Sequence, residues 1–289
     1  MAQPGRSASH DHRERNGLFR LSRIPAALAL MVIVAASIFA EVQNHGVHTT
    51  RKQAEVLNDL SLIRARLEGA INGNIQLIRG LVATIAIDPA MTLEHYASLS
   101  RQLMDANSQI TNIAAAPDLV VTMTYPLEGN EAVIGLDYTA SPEQIESALR
   151  ARDSGEMVLA GPVDLVQGGS GFIARFPVFI PREGHEDHFW GIVSAVIDAD
   201  RLYRDSGLLD GELDIEVAIA GRDGLGERGP QFFGNDIVAS SDPVVAEVTL
   251  PSGSWVMKAI PAGGWAQAPD NIWQLRIWIL LAASLIMIP

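Results

Sequence analysis

The sequence predicts an α+β fold: a long amino-terminal stalk helix, then two small antiparallel-sheet subdomains in tandem, with a transmembrane helix on either side. Three observations predict it. A helical apolar period runs from Glu41 to Ile87 with little turn chemistry. Beyond about residue 119 the period falls to two, as in strands with one buried face. Apolar segments stand at both ends, Ile24–Ala40 and Ile277–Ile288.

Taken in order, residues 1–23 form a tail with five arginines (Arg6, Arg13, Arg15, Arg20 and Arg23) against Asp11 and Glu14. Residues 24–40 are uncharged over 17 positions, the lower limit for crossing hydrocarbon at about 1.5 Å per residue. The upstream arginines favour a cytoplasmic tail. A cleaved signal peptide shares this basic-then-apolar order, with Val34-Ala35-Ala36 as its site; Ile38 spoils a small-x-small pattern ending at Ala40, so an uncleaved anchor is the reading adopted. Along the stalk, 41–87, Val56, Leu60, Ile63, Leu67, Ala70 and Asn74 step 4-3-4-3-4, and Ile71, Ile75, Ile78, Val82 and Ile85 extend the stripe. This spacing fits a heptad seam between two stalks, with polar Asn74 fixing register. It fits equally a helix laid on its own domain, and both can hold along different parts of the stalk. Asp88-Pro89 ends the stalk, because a residue before proline avoids helical angles. A second helix is expected over Leu93–Met104.

Strands are expected at Leu119–Tyr125 and Ala132–Tyr138, parted by the turn Pro126–Asn130. Others are expected at Met157–Ala160, Gly171–Ile180, Phe189–Asp198, Leu213–Ala220, Val244–Leu250 and Trp255–Ile260. Ser141-Pro142-Glu143-Gln144 reads as a capping box opening a helix that ends near Gly155. A short helix, Ala199–Ser206, marks the break between subdomains 88–200 and 201–268. Segment 272–289 carries Trp273 and Trp278 at interfacial places and reads as the start of a second membrane helix. Its 12 uncharged residues reach roughly 18 Å against roughly 30 Å of hydrocarbon, so the expectation is a span truncated at Pro289, with a buried globular helix as the alternative.

Composition narrows the function. The 289 residues are 48% apolar and contain no Cys, which excludes a disordered chain, a disulfide scaffold and a thiolate metal site. The net charge of −13 is divided: +3 over residues 1–40 and −17 over 41–271, with Arg276 beyond. A module at −17 repels phosphate backbones, so no nucleic acid is expected as a partner.

Three ordered segments carry a resemblance: Tyr125–Tyr138 (YPLEGNEAVIGLDY), Ala148–Phe179 (ALRARDSGEMVLAGPVDLVQGGSGFIARFPVF) and Phe189–Asp198 (FWGIVSAVID). Together they resemble the CHASE domain, the extracytoplasmic ligand-sensing module of histidine kinases and nucleotide cyclases, plant cytokinin receptors included. The likeness implies two PAS-like subdomains behind a stalk helix, the membrane-distal one (88–200) holding a small molecule. It also implies an output domain, histidine kinase or diguanylate cyclase, outside this chain. In the cytokinin-binding relatives a pocket aspartate contacts the ligand and falls on Asp137. A pocket threonine falls on Arg175, and a fixed cation there disfavours an adenine-type ligand and suggests an anionic one.

The residues can also be weighed without the name. Arg175 lies in Phe172–Phe179 (FIARFPVF), where burial is costly unless a carboxylate or phosphate pairs with it. A period-two strand with Ala174 and Phe176 inward would instead leave Arg175 in solvent. Asp137 is equally a turn former at a strand end. Should both face inward, they offer an acceptor and a forked donor, which suits an amino-acid-like zwitterion. Tyr125, Tyr138, Leu159 and Phe172 are candidate pocket walls or plain core.

Other constellations carry less. His185-Glu186-Asp187-His188 has ligand chemistry for a metal but sits in a hairpin turn without a third ligand. Asp223–Glu227 lacks the alternating oxygens of a calcium loop, and Gly168–Gly171 lacks the lysine of a phosphate loop. No cofactor is expected, and the seven histidines suggest no catalytic set. The expected function is extracytoplasmic small-molecule sensing from the inner membrane, with the module periplasmic and the chain paired as a homodimer through the stalk helix. The rivals are a membrane-tethered enzyme and an interaction module without a ligand.

Overall fold

The structure, a computed structural model, describes residues 23–104, 108–165, 168–182, 184–265 and 271–287. The expected tail therefore lies outside the described residues, save Arg23. The chain divides into two compact units, Ala54–Gly264 and the terminal segments Met1–Gln53 with Trp265–Pro289.

Helix α1 (Arg23–Ile87) is continuous through the apolar segment and the stalk and stops at Asp88-Pro89. By length and composition it contains a stretch able to cross a membrane. Its stripe Val56, Leu60, Ile63, Leu67, Ile71, Ile75, Ile78, Leu81 and Ile85 is at most 2% exposed within one copy of the chain. This settles the choice left open by the spacing: the stripe packs on its own domain, and the expected seam between two stalks is not available there. Asn74 follows the same logic. It is buried and donates Nδ2 to Gln109 Oε1 at 2.7 Å, and Gln109 Nε2 donates to Asp205 Oδ2 at 2.6 Å. Its polarity fixes the stalk against this chain's own body.

Helix α2 (Leu93–Leu103) is capped by Thr92, whose hydroxyl accepts from His95 N at 3.2 Å. Two sheets follow. The first contains β1 (Ile110–Pro117), β2 (Met123–Tyr125), β3 (Val158–Asp164), β4 (Ser170–Ile180) and β5 (His188–Asp198) in the antiparallel order β2-β1-β5-β4-β3. Helix α3 (Ile145–Ser154), between β2 and β3, ends at Gly155 with φ 68°, a left-handed turn that glycine adopts freely. Helix α4 (Ala199–Ser206) leads into the second sheet: β6 (Ile215–Ala220), β7 (Gln231–Phe233), β8 (Val244–Leu250) and β9 (Gly253–Pro261), ordered β7-β6-β9-β8, with α5 (Asp236–Ser240) beside it. The class is the expected α+β: a long helix and two antiparallel sheets.

Three elements differ from expectation. Strand β1 was hidden because Ala114-Ala115-Ala116 have weak strand preference and no alternation, yet it lies inside the sheet with Ala115 and Ala116 fully buried. Leu119–Tyr125 contributes only the short β2, because Asp118 and Leu119 take positive φ and turn the chain. Ala132–Tyr138 is not a strand: a 3₁₀ turn at Glu131–Val133 and Gly135 at φ 83° leave one bridge, Val120 to Asp137.

In the terminal unit, α6 (Ile272–Met287) has 16 residues, about 24 Å of helix. Arg276 Nε donates to Glu41 Oε1 at 2.9 Å, and Asn44 and Asn271 exchange side-chain hydrogen bonds. Among the described helices, α1 alone is long and apolar enough to cross a membrane; the second flanking span is not seen.

Candidate functional site

The register of the first sheet places Thr124, Ala114, Ser194, Arg175 and Val158 directly opposite one another across all five strands, so they share one face. That face is covered by α3 and by the segment before it: Ala148, Ala151 and Tyr138 pack with Ala114, Val158 and Ile192. Between face and cover lies a cavity of about 110 Å³. Its polar lining is Asn112, Tyr138, Gln144, Asp164, Arg175 and Ser194; Val133, Leu136, Leu165 and Val196 supply apolar wall.

Arg175 is 1% exposed, so the solvent-facing alternative is excluded. Both faces of β4 are buried, since Ala174 and Phe176 are also under 4% exposed. All its hydrogen-bond partners are neutral. Nε donates to Ser147 Oγ at 2.8 Å, Nη1 to Ser194 Oγ at 3.3 Å, and Nη2 to Gln144 Oε1. The Tyr138 ring lies 4.6 Å from the guanidinium carbon, a cation–π distance, and the Tyr138 hydroxyl shares a 3.0 Å hydrogen bond with Ser194. Burial pushes the guanidinium below its usual pKa range. Arginine stays protonated all the same, and among the described residues no carboxylate forms an ion pair with it.

Of the residues singled out by sequence, Arg175 and Tyr138 meet at this cavity. Asp137 does not: its Oδ1 accepts from Thr139 N at 2.8 Å and from Thr139 Oγ1 at 2.7 Å, the turn-forming alternative. These bonds also hold its carboxyl below the usual range. Tyr125, Leu159 and Phe172 lie on the opposite face of the sheet. Leu159 stands opposite Ala174, and Ala174 aligns through Ala195 and Ile113 with Tyr125. Phe172 packs with Tyr203, Phe232 and Trp255, an aromatic cluster joining the first sheet to the second. Sequence reasoning missed Gln144, Ser147, Ser194, Asn112 and Asp164. Ser194 carried a readable signal, a hydroxyl inside the apolar run Ile192–Ile197. Gln144 was masked by its apparent capping role; its side chain makes no cap and turns to Arg175 instead.

A second joint links the sheets. Asp223, left-handed at φ 61°, accepts from Gly161 N at 2.7 Å through Oδ1, and its carbonyl accepts from Arg150 Nη2 at 2.9 Å. Helix α3 thus touches Arg175 through Gln144 and Ser147 at its start and the second sheet's turn through Arg150.

This architecture, a long helix followed by two antiparallel sheets, is a fold shared with solved structures. The chain is similar to the solved structure of a methyl-accepting chemotaxis protein X, with 12% identity and a TM-score of 0.52 over 74% of this chain and 98% of that one. It is also similar to the sensory domain of the Campylobacter jejuni chemoreceptor Tlp3, with 10% identity and a TM-score of 0.51 over 79% and 99%. An extracellular ligand binding receptor from Desulfohalobium retbaense aligns at 15% identity and a TM-score of 0.49 over 68% of this chain, which spans 39% of that receptor. A comparison with curated proteins finds no match. The model of the CHASE domain family matches residues 70–233, and the chain belongs to that family of extracellular ligand-sensing, signal-transducing modules.

Proposed function

We propose that this chain senses a small organic molecule whose anionic group, a carboxylate foremost, binds Arg175 in the cavity of the first sheet. The observation that carries this reading is a buried guanidinium lining a cavity with neutral partners only. Such a group costs several kcal/mol to desolvate, an outlay that a carboxylate or phosphate offsets. For a zwitterion the acceptor of its ammonium group would be Asp164, exposed at the cavity margin, in place of Asp137. The cavity holds about four waters' worth of liquid volume, which suits an amino acid or carboxylic acid of few heavy atoms.

Signalling follows from α3. A ligand carboxylate that takes Arg175 from Gln144 frees the first turn of α3, and Arg150 carries the shift to Asp223. The ligand moves this equilibrium only by its affinity difference between the two arrangements, about 1.4 kcal/mol per tenfold. We assign the first sheet to a membrane-distal and the second to a membrane-proximal PAS-like subdomain. The start of α1 and α6 would be paired helices in the inner membrane, the module periplasmic, and the output a histidine kinase or diguanylate cyclase. A second copy would pair along the free side of the stalk, where Leu62, Gly69, Gly73, Leu77 and Gly80 are exposed and the three glycines face open space.

A thermal-shift screen of the full chain in detergent, with small carboxylates each set against its uncharged amide, tests the reading. Carboxylates that raise the melting temperature while their amides do not, with the effect gone in Arg175→Met, support it. Stabilisation by amides alone, or carboxylate stabilisation unchanged in Arg175→Met, overturns it.

A further inference from the structure

We propose a second small-anion site, in the cleft between the two sheets. A cavity of about 210 Å³ lies beyond the Gln144–Arg175 contact, and both of these residues line it as well as the first cavity. Its remaining charged walls come from α3 and the segment leading into it (Glu143, Glu146, Arg150) and from the turn after β6 (Arg222, Asp223). The two sheets therefore both contribute to it.

The charges are layered. Glu143, Glu146 and Arg222 are exposed and keep their water. Deeper in are Arg175, almost wholly buried, and Arg150, whose Nε is shut off from solvent without a hydrogen-bond partner. Asp223 is occupied: one carboxylate oxygen holds Gly161 N, and its carbonyl takes Arg150 Nη2. Among the described residues no ion pair holds Arg175 or Arg150, so neither is neutralised by a side chain. The inner half of the cleft thus presents two guanidinium groups with N–H donors to spare against one carboxylate, Asp223, which accepts from Gly161 N and forms an ion pair with neither. A small oxyanion, phosphate or carboxylate, fits this demand, since its oxygens accept forked N–H donors from arginine.

An anion there touches α3 and the Asp223 turn at once. Binding ties the sheets together, and because Arg175 and Gln144 line both cavities, occupancy of one changes affinity at the other by reciprocal coupling. The site stands on Arg150 and does not require the first cavity to hold a ligand.

The test is the melting temperature of the full chain in detergent with inorganic phosphate, then acetate, each against chloride at equal ionic strength. Saturating the site with phosphate should raise it by about 2–4 °C at ten times the dissociation constant, and the acetate arm shows whether carboxylates share the site. Arg150→Met should lose most of that shift, Arg150→Lys should keep part of it, Arg222→Ala, at the exposed rim, should keep most of it, and Asp164→Asn, at the other cavity, should keep all of it. The inference is overturned by the absence of a shift with both anions, by a full shift in Arg150→Met, or by loss of the shift in Asp164→Asn. Failure of the carboxylate screen at Arg175, with the phosphate shift intact, would sink the first reading and leave this one standing.

Discussion

In the first sheet a guanidinium lies buried beside a cavity, held by Ser147, Ser194 and Gln144; in the second the buried centre is apolar, with Val217, Ile219, Val248, Trp255, Met257 and Ala259. Both are antiparallel, both lie in one compact unit, and Phe172 packs against Trp255 between them with ring centroids 4.9 Å apart. The difference teaches where the fold keeps its stability and where it gives some up. The second sheet fills its interior with apolar side chains, whereas the first keeps a polar-lined cavity beside a buried guanidinium, as binding sites do at the expense of stability.

Substitutions can break or sharpen this contrast. Trp255→Ala should give the largest effect: the side chain is 1% exposed and sits among Phe172 and Phe232, so its loss should cost about 3–5 kcal/mol in denaturant unfolding. Arg175→Met should act with the opposite sign, leaving stability unchanged or raising it by about 1–4 kcal/mol, because a desolvated charge is replaced by an apolar chain of similar length. A clear loss of stability in that variant would mean the site is structural. Asn74→Ala should cost about 1–3 kcal/mol, since Gln109 loses its buried donor; differential scanning calorimetry reads this directly. Asp137→Asn should do least, because the group is at the surface. Its depressed pKa gives a small stability that is present above the usual carboxylate range and lost as pH falls through the lowered value. Melting curves of wild type and variant should therefore differ slightly at neutral pH and converge in acid, with ligand-induced shifts unaltered.

Much of the fold was legible because its signals are local. The stripe of α1 and the limits of α4 follow from periodicity and caps, and Asp88-Pro89 stops the stalk as its chemistry requires. The site was less legible for a reason peculiar to strands. Adjacent residues point to opposite faces, so Arg175 and Phe172 part company by parity alone, and a strand buried on both sides shows no alternation to reveal which face holds a cavity. Gln144 and Asn112 were hidden differently, one behind a plausible cap and the other in a strand rich in alanine. The stalk spacing was readable, but the partner it packs on was not, since one apolar stripe serves a second helix or a sheet equally well.

The account rests on Arg175 as the receptor for a ligand's negative charge. Its most direct measurement is calorimetric titration of a stabilising carboxylate into the full chain, wild type against Arg175→Met. Affinity should weaken about 100-fold, the scale of a lost buried charge-assisted contact of roughly 2.7 kcal/mol. Affinities within about threefold of each other, a difference under roughly 0.7 kcal/mol, would contradict it.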